Sequence, residues 1–135
     1  MNTSKSFELS QNELLNLVKT LPSQGVIILR GNLASGKTTL VKEIAKFRGF
    51  DGVVSSPTFS VMQNYGDIYH YDLYQSGFDG IIKNGLFENF FEDGLHLVEW
   101  GDERLENALK KFEIDYSIIE IEPLGNKRLY KVSYA

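Results

Sequence analysis

Apolar positions along the chain follow two periods, and the alternation between them sets out the fold. In "SQNELLNLVKTLP", Leu14, Leu17, Val18 and Leu21 recur at helical spacing behind a capping box of Ser10 and Glu13, which predicts an amphipathic helix. "GVIILRG" is a continuous apolar run closed by Gly31, the pattern of a strand buried on both faces. "KTTLVKEIAKF" places Leu40, Val41, Ile44 and Phe47 on one helical face and ends at Gly49, a C-cap residue. "VVSSPTFSVMQNYGDIYHYDLYQ" is rich in β-branched and aromatic residues, with a break at Ser56-Pro57 and a turn at Gly66-Asp67, and predicts two strands joined by a hairpin. "GLFENFFEDG" then predicts a short helix, "LHLVEW" a second buried strand and "GDERLENALKKF" another helix. "YSIIEIEP" and "RLYKVSY" alternate around the turn "LGNK" as an antiparallel pair. The sum is an α/β domain with a central, mainly parallel sheet, antiparallel additions and flanking helices.

Composition narrows this picture. At 135 residues a single domain spanning 1–135 is the expectation. The 42% hydrophobic and 13% aromatic content supplies a core, and no segment approaches the roughly 20 apolar residues of a membrane helix. "MNTSKSFELSQNELL" holds no apolar run of signal-peptide length, so the cytoplasm is the expected address. Without cysteine, disulfides, thiol catalysis and cysteine metal sites are excluded. Fourteen basic residues against 18 acidic ones give a net charge of -4. The densest basic stretches, Lys42, Lys46 and Arg48, then Lys127, Arg128 and Lys131, fit helix and strand surfaces, which argues against stand-alone nucleic-acid binding.

The chemistry concentrates between the first buried strand and the helix after it. Gly31, Gly36, Lys37 and Thr38 satisfy G-x-x-x-x-G-K-[ST], a phosphate-loop pattern, in the strand-before, helix-after context that it requires. The glycines let successive N–H groups point inward, and the helix N-terminus adds partial positive charge, so phosphate would be bound largely by main chain. Lys37 can reach the β and γ phosphates, the Thr38 hydroxyl can ligate Mg²⁺, and Thr39 would contact the α phosphate from the next turn. A tight strand-to-helix turn without a ligand is the bland alternative.

A phosphate loop needs carboxylates at neighbouring strand ends to support hydrolysis. Asp72 follows "IYHY" and Glu99 closes "LHLV", both where a parallel sheet presents them near the loop. Glu99 has the stronger case, because a charge after an apolar strand is costly without a partner such as a metal. A solvated strand-end carboxylate stays open for both. Thr58, in "SSPTF", lies on a loop that can sense a γ phosphate through its hydroxyl. Trp100 is either core or a rigid aromatic beside the nucleotide. For His70, packing or hydrogen bonding stands beside chemistry, and His96 reads as an ordinary strand residue.

"GNLASGKTT", "SSPTF", "YHYDLYQ" and "LVEW", in this order across residues 31–100, resemble the signature of the TsaE family, whose usual forms are GDLGAGKTT, SPT followed by Phe or Tyr, HFDLYR and a strand ending in EW. The resemblance implies a P-loop NTPase-like fold and a small Mg²⁺-dependent ATPase. It would be required for the threonylcarbamoyladenosine modification of tRNA beside the anticodon. TsaB and TsaD are the implied partners, TsaD performs the transfer, and tRNA is met only through the complex. Carried over by motif, Asn32, Leu33, Ala34, Ser35, Gly36, Lys37, Thr38 and Thr39 surround the phosphates, Thr38 and Glu99 ligate Mg²⁺, and Asp72 supports hydrolysis alongside Lys37 and Glu99. Glu8, assigned to the N-terminal helix, and Arg128, in the last hairpin, match positions that approach the nucleotide in that family, with a surface-charge role as the alternative.

This chain departs from the family forms at several positions. Asn32 stands for Asp, Ala34 and Ser35 for Gly and Ala, Gln75 for Arg, and Gly101 follows the Trp where Pro is common. A Cβ at Ala34 would add roughly 1 kcal/mol of strain if that position requires positive φ. Two other functions are consistent with a phosphate loop. A small-molecule kinase would need an acceptor site and arginine-rich lid segments, and this chain has four arginines, at 30, 48, 104 and 128. A nucleotide switch without hydrolysis would tolerate Asp72→Ala. The absence of an "NKxD"-like guanine-reading motif favours ATP over GTP indirectly.

Overall fold

Seven strands form one sheet in the order β1-β7-β6-β2-β5-β4-β3. They are β1 (Thr3–Leu9), β2 (Gly25–Arg30), β3 (Met62–Tyr65), β4 (Ile68–Asp72), β5 (Leu95–Glu99), β6 (Tyr116–Leu124) and β7 (Lys127–Tyr134), interleaved with helices α1 (Leu15–Val18), α2 (Lys37–Phe47), α3 (Phe78–Lys83) and α4 (Glu103–Lys111). The computed structural model describes residues 3–32, 36–54 and 61–134. The centre is parallel, with β2 between β5 and β6 and β4 on the far side of β5. β3, β7 and β1 are added antiparallel at the edges.

Alternation along the central strands divides the core into two layers. Ile27 and Leu29 of β2, with Leu95 and Leu97 of β5, face α1 and α2, where Leu14, Leu17, Leu40, Val41, Ile44 and Ala45 cover them. Val26 and Ile28, with Val98 and Tyr71, face the opposite layer, covered by Phe78, Ile81, Phe90, Leu105 and Leu109. This explains the unbroken apolar runs of β2 and β5, since neither strand has a solvent face. The same period places Ile68, His70 and Asp72 of β4, and Leu97 and Glu99 of β5, toward α2.

Several expected elements differ in detail. Residues 10–21 are not one helix: a 3-10 turn at Gln11–Glu13 leads into the single turn of α1. The capping contact holds, with the Ser10 N–H donating to Glu13 Oε1 at 2.9 Å, but Pro22 disfavours continuing the helix through Leu21. β1 lies before it, so Glu8 belongs to an edge strand and not to a helix. Its segment pattern is weak because Ser4, Lys5 and Ser6 are exposed and only Leu9 is buried. Phe47, expected on the buried face of α2, is 55% exposed, and Ala45 takes that place. α3 lies in "FDGIIK", which the apolar period alone did not distinguish. No helix among the described residues is long and apolar enough to cross a membrane.

Candidate functional site

The carboxyl ends of β2, β4 and β5 converge on the N-terminus of α2, the position where open α/β sheets bind ligands. Gly36 precedes α2 at φ +107°, a conformation open to glycine. Lys37, the first residue of the helix, is 4% exposed and donates to the carbonyls of Gly31 at 2.7 Å and Asn32 at 2.9 Å. Its ammonium also lies 4.1 Å from the centre of the Trp100 ring. Burial pulls the lysine below its ordinary pKa, and the carboxylates of Glu99 and Asp72 pull it back up.

Thr38 and Glu99 meet directly. The Thr38 hydroxyl lies 3.1 Å from Glu99 Oε2 and 3.3 Å from Oε1. Glu99 itself is buried, at the end of an apolar strand. Asp72 stands beside it in the register of β4 and β5, and its Oδ1 accepts the Tyr74 N–H at 3.0 Å. Burial raises the Asp72 carboxyl above the usual range, that hydrogen bond lowers it, and Glu99 raises it further.

Trp100 adopts φ +65°, a left-handed conformation rare for a bulky residue. The turn that requires it sets the indole between Lys37 and the Tyr74 ring, whose centre is 4.9 Å away. Arg128 reaches the loop from the last hairpin: a Cβ at Gly36 would run into its guanidinium. It also lines, with Leu9, Ser10, Gln11, Asn126 and Lys127, a cavity of about 260 Å³. Glu8 is exposed and pairs with Leu129, one position from the Leu9–Arg128 pair.

Lys37, Thr38, Asp72, Glu99 and Trp100 are therefore gathered in one place, with Asn32, Gly36, Thr39 and Arg128 bordering it. Leu33, Ala34, Ser35 and Thr58 lie outside the described residues. His70, for which packing, hydrogen bonding and chemistry all stand open in the sequence, has its Nε2 2.6 Å from Glu99 Oε2. The available signal was spacing, because His70 and Asp72 are two apart on a strand and so share a face. His96 instead sits on the other face, fully enclosed between Tyr71 and the Glu92 carbonyl.

A buried parallel strand, the G-x-x-x-x-G-K-[ST] sequence and a helix opening on its lysine, with a carboxylate from the adjacent parallel strand, define a P-loop α/β protein. A family model described as "Threonylcarbamoyl adenosine biosynthesis protein TsaE" matches residues 4–129, and the chain belongs to the TsaE family. Relatives named tRNA threonylcarbamoyladenosine biosynthesis protein TsaE include one from Bacillus subtilis, 35% identical over 114 residues, covering 76% of this chain and 72% of the relative. One from Rickettsia conorii is 32% identical over 137 residues, covering 98% and 77%, and one from Aquifex aeolicus is 36% identical over 123 residues, covering 86% and 82%. A crystal structure of Bacillus subtilis YdiB shares the fold at a TM-score of 0.67 and 24% identity, over 99% of this chain and 87% of that one.

Proposed function

We propose that this protein binds ATP with Mg²⁺ at the α2 N-terminus and hydrolyses it in support of tRNA threonylcarbamoyladenosine synthesis, acting with TsaB and TsaD. The observation that carries the reading is the contact between the Thr38 hydroxyl and the buried Glu99 carboxylate at 3.1 Å. It brings two hard oxygen donors together beside a phosphate-loop lysine, a donor set that suits Mg²⁺. Bound there through Thr38 and Glu99, the metal supplies charge neutralisation for phosphate oxygens.

The remaining work belongs to the chain's own groups. Lys37 exchanges its carbonyl contacts for phosphate oxygens, in a setting where low exposure strengthens the attraction between its charge and the phosphate. Asp72, with a raised pKa, orients the attacking water and accepts its proton. Arg128 closes over Gly36 from the opposite side and meets the nucleotide from the last hairpin. Asn32, Thr39 and Trp100 line the approach, and Leu33, Ala34, Ser35 and Thr58 complete the family motif. Glu8 is the least connected of the proposed nucleotide contacts, being one strand position away from the pair that holds Arg128. A net acidic chain fits a subunit that reaches tRNA through partners.

The test is Mg²⁺-dependent phosphate release from ATP by the purified protein, alone and with TsaB and TsaD of the same cell, with Lys37→Ala as control. Slow release that rises with the partners and disappears in the variant is the expected result. Release and nucleotide affinity that both ignore the partners would remove the link to tRNA modification.

A further inference from the structure

Glu99 is held from two sides, and only one of them belongs to the phosphate loop. The His70 ring presents Nε2 to Oε2 at 2.6 Å, the oxygen that the Thr38 hydroxyl also meets at 3.1 Å, with His70 itself fully buried. A carboxylate can only accept, so the imidazole N–H is the donor. The other ring nitrogen, Nδ1, meets the Tyr65 hydroxyl at 3.1 Å, and that hydroxyl donates to Gln63 Oε1 at 2.7 Å. The Tyr65 ring is itself buried and packs on His70 at 5.7 Å between centres. A connected polar chain therefore runs from Gln63 and Tyr65 on β3, through His70 on β4, to the carboxylate on β5.

We infer that His70, steadied by Tyr65, is the positioning residue for Glu99: its Nε2–H binds Oε2 and fixes the rotation of the carboxylate that meets the Thr38 hydroxyl. This rests on the reading of Glu99 as a Mg²⁺ ligand. The physical reason is that a carboxylate at a strand end can rotate about its terminal bond, and a metal site gains affinity when hydrogen bonds outside the ligand set remove that freedom. Sheet register makes the arrangement possible, since His70 lies opposite Leu97 and its side chain leans toward the same face as Glu99 two residues on. The edge hairpin thereby contributes to the metal site without touching metal or nucleotide.

The experiment follows the fluorescence of Trp100, the single tryptophan, which lies beside Lys37. ADP is titrated first without metal and then at saturating ADP with increasing Mg²⁺, for the wild type, His70→Ala, His70→Gln, Tyr65→Phe and Glu99→Gln. His70→Ala should raise the Mg²⁺ half-saturation by about 10–100-fold while leaving metal-free ADP affinity near the wild-type value. His70→Gln, which keeps an N–H donor, should recover most of the loss, and Tyr65→Phe should show a smaller rise. An unchanged half-saturation in His70→Ala, or equal loss in the Ala and Gln variants, overturns the inference. Loss of metal-free and metal-dependent binding together would mark a general structural role and also overturns it. Should His70→Ala not fold, Tyr65→Phe and His70→Gln decide: a rise in the first with near-normal behaviour in the second supports the inference, and no rise in the first overturns it. Glu99→Gln separates the two readings, because a Mg²⁺ response that survives this variant removes the metal-ligand role of Glu99 itself.

Discussion

Arg128 lies against Gly36, so a residue of the last hairpin closes over the glycine that opens α2. The contact joins the last hairpin of the sheet to the phosphate loop, and a side chain at position 36 would have to displace the Arg128 guanidinium. Gly36 also has φ +107°, so two separate penalties oppose any substitution there. Gly36→Ala is expected to lower unfolding stability by about 1–2 kcal/mol from backbone strain alone, read from urea denaturation, and to weaken ADP binding. Adding Arg128→Ala should relieve the steric part and leave the backbone part. Full recovery of stability in the double variant would mean that the glycine conformation costs nothing there.

Lys37 is a buried charge whose pKa burial has already lowered. A lysine in that state weakens the fold at neutral pH, because the folded form prefers to give up the proton sooner than the unfolded chain does. Lys37→Met keeps most of the stem and removes the charge. It is expected to lose phosphate release by about 10²–10³-fold with no fall in Tm at neutral pH. A variant that loses activity and Tm together would show that the lysine holds the fold rather than the phosphate.

Asp72 carries the opposite sign. Burial raises its carboxyl, so the folded state holds that proton to higher pH than the unfolded chain. Its stability contribution is therefore lost as pH rises from the ordinary aspartate range through the raised value. Asp72→Asn keeps the oxygen that accepts the Tyr74 N–H and removes this loss. Its Tm should exceed wild type at neutral pH and converge with it below about pH 4, while phosphate release falls by about 10²–10⁴-fold. A lower Tm at neutral pH would contradict the electrostatic account.

How legible the molecule is in its sequence depends on the range of the contacts involved. β2 and β5 stand out because strands buried on both faces are continuous apolar runs. The phosphate loop stands out because phosphate chemistry demands fixed residue types at fixed spacing. β1 is obscured because it lies at the sheet edge, where Ser4, Lys5 and Ser6 face water and leave little alternation, so the segment holding Glu8 reads as part of the helix that follows. α3 is short and holds Gly80 inside it, which weakens its helical pattern. The partners of His70 are 5 and 29 residues away, so its place in the site depends on strand register, which a one-dimensional pattern does not specify. Arg128 could be linked to the loop by family resemblance, but its packing on Gly36 arises only when β7 joins the sheet.

Tyr71 and His96 provide a control on the far face of the same strands. Their contact at 2.8 Å is fully buried, and the other His96 nitrogen faces the Glu92 carbonyl at 3.0 Å. A carbonyl accepts, so the histidine donates there and accepts from the tyrosine. Tyr71→Phe strands that acceptor and should cost about 1–3 kcal/mol of stability in denaturant unfolding, with ADP affinity unchanged. A change in ADP affinity with stability intact would place Tyr71 in the site after all.

The most direct test of the central claim is multiple-turnover formation of threonylcarbamoyladenosine on tRNA by TsaB and TsaD, with this protein added as wild type or as Lys37→Met. The account predicts sustained modification with the wild type and arrest with the variant, in step with the loss of phosphate release. Sustained modification with Lys37→Met would contradict it.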